Sequence, residues 1–96
     1  MHNWRVEIQG DGGRAGPLVY TEHGRTASFW WELGGNDVVC IVSGVRPQNW
    51  DTAMPWAANR RAEVMSRIAS EVIRIKAPGC TFELRDGDTT AIIKEP

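Results

Sequence analysis

Apolar and polar residues alternate through WRVEI near the start of the chain, with Trp4, Val6 and Ile8 in one phase and Arg5 and Glu7 in the other. A period of two is the signature of a strand with one buried face. The same alternation returns in Leu18 to Glu22 and in Thr26 to Leu33, which flank His23-Gly24. Pairing these two strands through that dipeptide sets Glu22 opposite Arg25, Tyr20 opposite Ala27 and Leu18 opposite Phe29. One face then carries Leu18, Tyr20, Ala27, Phe29, Trp31 and Leu33. The other carries Val19, Thr21, Thr26, Ser28, Trp30 and Glu32.

A fourth strand, Asp37 to Val42, follows through Gly34-Gly35 or through GGND. Both connections are even in length, so either puts Val38, Cys40 and Val42 on the Trp31 face and Val39 and Ile41 on the Trp30 face. The four-residue loop is preferred, because the shorter one sets Glu32 against Asp37. This strand is apolar on both faces, as a strand inside a sheet should be.

Ser43 to Ala53 reads as a connection. Asp51 or Thr52 then caps a helix with Pro55 in its first turn, running to about Lys76 and ended by Ala77-Pro78-Gly79. Ala58, Ala62, Met65, Ile68, Ala69, Val72 and Ile75 form its apolar stripe, with Glu63, Arg67, Glu71 and Arg74 opposite. Cys80 to Arg85 and Thr89 to Lys94 close the chain as a hairpin around Asp86-Gly87-Asp88. Phe82, Leu84 and either Ile92 or Ile93 point to the core.

The expected fold is therefore a two-layer α+β domain of order β-β-β-β-α-β-β. One mainly antiparallel sheet has one long amphipathic helix packed on its Trp31 face. Two strand orders fit. A last hairpin beside the first strand leaves the fourth on an edge, where its apolar character would call for dimerisation through it. A last hairpin beside the fourth strand buries that strand and makes a parallel pair joined by a helical crossover; the apolar pattern favours this order.

Composition narrows the class. Ninety-six residues suit a single domain over 1-96. Eleven basic against twelve acidic residues give a net charge of −1, so no overall field draws the chain to nucleic acid or anionic lipid. No apolar run is long enough to span a bilayer and MHNWRVEIQG lacks the pattern of an export signal, so a cytoplasmic location is expected. Cys40 and Cys80 then read as buried free thiols; neither belongs to a CxxC, and no zinc site is expected.

Two surfaces emerge as candidate sites. Trp30 shares its face with Val19, Val39, Ile41 and Glu32, and with a single long helix in the chain this face has no evident cover. An aromatic and branched patch of this kind suits a partner, and the leading expectation is a non-enzymatic interaction module that forms a homodimer through it, or meets a different protein there. The alternative is a binder of an anionic or aromatic small molecule, or a small enzyme. Its pocket would lie between the helix start and the sheet, lined by Tyr20, Trp50, Trp56, Arg61 and Arg46. Trp50 also reads as a hydrophobic staple before the helix, Trp56 as an exposed side chain, and Arg61 as a core-facing arginine that snorkels or pairs. Arg60 reads as solvated.

No catalytic residue, cofactor or metal is expected. His2 and His23 have no nucleophile at a readable spacing, and GDGGRAG leads into a strand where a phosphate loop would lead into a helix. Asp86 and Asp88 are explained by the turn around Gly87.

Overall fold

A computed structural model describes residues 3–9, 13–35, 38–87 and 89–95, so the readings made for His2, Asp37, Asp88 and residues 10–12 of the glycine-rich loop lie outside it. Six strands form one sheet: β1 (Trp4–Ile8), β2 (Ala15–Glu22), β3 (Arg25–Leu33), β4 (Val38–Ser43), β5 (Thr81–Leu84) and β6 (Thr89–Lys94). Their order is β1-β2-β3-β4-β6-β5, with β1 and β5 on the edges and every pair antiparallel. Two helices, α1 (Pro47–Ala53) and α2 (Arg61–Lys76), flank a 3-10 turn at Pro55–Ala57.

The mixed α+β architecture is as expected, and so is the interior position of β4. The parallel pair is not found. α2 carries the chain back across the sheet to its far edge, so β5 forms that edge and β6 folds back into the gap beside β4. The final hairpin thereby resolves its own facing: Phe82 pairs with Ile93 and Leu84 with Ala91 towards the core, leaving Ile92 opposite Ile41 on the outer side.

The β2–β3 register is the expected one, with Glu22↔Arg25, Tyr20↔Ala27 and Leu18↔Phe29. His23 and Gly24 both have positive φ, 49° and 79°, which is the backbone of a two-residue turn whose twist matches the strands. The β3–β4 register is shifted by two residues from expectation. Leu33 pairs with Cys40, and pairing continues through Gly34 and Gly35, whose N–H and C=O meet Val39 and Val38. A shift of two keeps every side chain on its face. Trp31, Cys40 and Val42 are buried, and Trp30 is exposed.

The long helix is broken where one unbroken helix was expected. Met54 leaves helical geometry at φ −132°, Pro55 brings no N–H to bond backwards, and Asn59 has φ 64°. The stretch expected to be a connection instead forms α1, with Pro47 in its first turn. Asp51 does not cap the long helix; its Oδ1 accepts the Asn59 N–H at 2.9 Å and ties down the turn before α2.

The buried stripe of α2 is Val64, Met65, Ile68, Ala69 and Val72. Ala58, Ala62 and Ile75 are exposed, so the stripe is rotated from the expected one towards positions 60, 64, 67 and 71. That rotation brings Arg60 and Arg67 to the sheet. One core gathers the helix stripe with Leu18, Tyr20, Phe29, Trp31, Val42 and Ile93, among others.

Candidate functional site

Glu22 ends β2 on the core side and is the one charged residue buried among those described, 5% exposed. A carboxylate held there requires partners of opposite charge and close hydrogen bonds. It has both. Arg60 donates to its two oxygens at 2.7 Å each, Tyr20 Oη donates at 2.7 Å, and Arg67 donates at 3.0 Å. Glu63 binds the outer side of Arg60 at 2.7 Å, so two carboxylates balance two guanidiniums. The expectation of a solvated Arg60 and of an outward Arg67 is thus corrected by the rotation of α2.

Aromatic rings enclose this network. Trp4 and Trp56 stack on Tyr20, each 6.3 Å from it between ring centroids, and the Arg67 guanidinium lies 5.2 Å from the Trp4 ring. The bonds from Arg60, and with them Tyr20 and Arg67, hold the Glu22 carboxyl down at about 2 against the cost of its burial. The Tyr20 hydroxyl is pushed up, first by burial and then by its bond to Glu22. A carboxylate so stabilised is a poor base and a buried tyrosine so raised is a poor nucleophile. The cluster clamps α2 to β2.

The residues expected to line a pocket are only partly brought together. Tyr20 and Trp56 meet, half-burying Trp56. Trp50, expected to precede the helix as a staple, lies within α1 at 1% exposure, against Phe29, with Nε1 donating to the Ala57 carbonyl at 2.8 Å. Arg61 sits at the other side of the α2 start, donating to the carbonyls of Val45 at 3.0 Å and Arg85 at 2.6 Å. Arg46 is exposed at the start of α1. An open, shallow groove lies elsewhere, over the ends of β1 and β2, lined by Asn3, Trp4, Arg5, Thr21, His23 and Gly24.

The outer sheet face holds the other candidate set. Trp30 is 47% exposed. Pro17 and Ser43 are its cross-strand neighbours; Val19 lies beside Ser28, and Glu32 beside Ile41, which in turn meets Ile92. Val19, Ile41 and Ile92 are half-buried and Glu32 is exposed. Val39 sits at a register irregularity between Val38 and Cys40 and packs in part against the core. Both helices send their buried residues to the opposite face.

Among the described residues no group of three or more His, Cys, Asp or Glu is placed to hold a metal ion, and no helix is long and apolar enough to cross a membrane. Cys40 is buried and Cys80 half-buried, both as free thiols, with burial pushing the Cys40 thiol up. No family model, no curated protein and no solved structure matches the chain.

Proposed function

We propose that this protein is a non-enzymatic interaction module that self-associates by seating the outer sheet face around Trp30 against the same face of a second copy. The observation that supports this is Trp30 itself, a large aromatic left 47% exposed within a face that neither helix covers. Tryptophan is favoured at interface centres because it removes much apolar area from water with few rotamers to freeze. Val19, Ile41 and Ile92 extend the apolar ground, and Ser28, Ser43 and Glu32 give it a polar rim. Six strands at about 4.8 Å spacing make a face roughly 24 Å wide, a footprint suited to an interface of about 800 Å² per partner.

Sedimentation equilibrium of the wild type and of Trp30→Ser tests the reading. The wild type should show a concentration-dependent association step that the variant lacks, with the variant's thermal midpoint close to the wild type's. Identical assembly of the two proteins at every concentration removes the proposal.

A further inference from the structure

β1 is an edge strand, hydrogen-bonded to β2 on one side. Its register with β2, together with the bonds from Gln9 N–H to the Pro17 carbonyl at 2.9 Å and from His23 N–H to the Asn3 carbonyl at 3.2 Å, makes the odd-numbered residues the hydrogen-bonded ones. Alternation in an antiparallel ladder then turns the N–H and C=O of Val6 and Ile8 to the open edge. The side chains divide the same way by face: Val6 and Ile8 towards the core, Arg5 and Glu7 outward, with their side chains 70% and 51% exposed and 3.1 Å apart.

This strand is complementary to itself. Turned end for end about Val6, WRVEI sets Val6 against Val6, Ile8 against Trp4, and Arg5 against Glu7 twice. We infer that β1 pairs antiparallel with β1 of a second copy across a two-fold axis at Val6, joining two sheets into one of twelve strands. In this register Val6 and Val6 of the partner subunit exchange both backbone hydrogen bonds. Arg5 and Glu7 of the partner subunit occupy a non-hydrogen-bonded pair, where Cα atoms come to about 4.5 Å and side chains approach most closely.

The register is fixed by charge. Sliding the second strand by two residues one way sets Arg5 against Arg5 of the partner subunit; sliding it the other way sets Glu7 against Glu7 of the partner subunit. Both are unfavourable, and a slide of one residue exchanges the faces. Charges of one sign on an edge strand discourage pairing; here opposite signs placed symmetrically about Val6 select one pairing. The contact is isologous and closes on itself as a dimer. It uses the sheet edge and is independent of the Trp30 face.

The test uses full-length chains in a Trp30→Ser background, which removes the face contact whatever its strength. That protein should sediment as a dimer, weakened by salt because its specificity is ionic. Adding Arg5→Glu makes the outer positions of β1 all negative, adding Glu7→Lys makes them all positive, and each variant should be monomeric. An equimolar mixture of the two should regain the dimer as a heterodimer. Both sites are surface positions, so both variants should keep the parent's circular dichroism and melting midpoint. Exchange of the Val6 amide proton should slow with rising concentration in the parent and not in either single-charge variant. A monomeric parent, a dimer indifferent to Arg5→Glu, or a mixture that stays monomeric overturns the inference. Any of these leaves the difference between wild type and Trp30→Ser as it stands.

Discussion

Among single residues, Glu22 carries the largest electrostatic consequence. Its carboxyl is held at about 2 against an ordinary 4.5, so it binds its proton more weakly folded than unfolded. A depressed folded value contributes stability that is complete above the unfolded pKa and is lost as pH falls towards the folded one. Glu22→Gln should therefore cost about 2 kcal/mol near neutral pH, less than the full shift gives, because Arg60 and Arg67 both reach solvent. Urea midpoints of variant and wild type should converge as pH falls from about 4.5 to about 2. A gap that stays constant over that window would show that packing, and not the ion pairs, sets the loss. Trp30 is the opposite kind of residue: it is 47% exposed on the outer face and outside the buried core, so its replacement probes association more than folding.

At the scale of elements, the most tightly specified unit is the β2–β3 hairpin. Its turn needs positive φ at two successive residues, which His23 tolerates and Gly24 adopts freely. Gly24→Ala, with φ 79° and open space around the added methyl group, should cost about 1 kcal/mol through backbone strain alone, read as a lowered thermal midpoint. The helical region is specified more loosely. Pro47 and Pro55 are both compatible with a first helical turn, so the sequence supports one long helix or two pieces. The Trp50 bond to Ala57 and the Asp51 bond to Asn59 both hold the folded-back arrangement, and both close a loop that periodicity does not register.

For the whole molecule, one core joins the sheet to both helices and the 3-10 turn. Unfolding should accordingly be two-state, with tryptophan near-ultraviolet and backbone far-ultraviolet dichroism giving the same midpoint. Separate transitions would mean that the α1 region, which carries Trp50 and Trp56, comes loose before the sheet. The sheet has edges at β1 and β5, and the fold leaves its outer face without a helix, so the two proposed contacts divide the surface between a face and an edge. The groove beside Trp4 and His23 lies apart from the Trp30 face and shares Trp4 and Arg5 with the edge contact.

The sequence by itself determined what depends on local period and parity: the six strands, the His23-Gly24 turn, the β2–β3 register, and which of Trp30 and Trp31 enters the core. Parity was enough for the last of these, since every even change in the β3–β4 connection preserves it and the actual connection differs by two residues. The Trp30 patch was legible for the same reason. Only the tertiary structure decided what depends on rotation and long-range approach. A small rotation of α2 moved Arg60 and Arg67 from solvent to Glu22, 38 and 45 residues away along the chain, and no local pattern carries that information. Glu22 gave one usable signal, its core-side position in the alternation of β2 beside Tyr20, though its pairing with Arg25 across the turn gave that charge a nearer explanation. The antiparallel place of β6 was likewise settled by where α2 delivers the chain, because apolar alternation tells a strand which face to bury and does not tell it which neighbour to take.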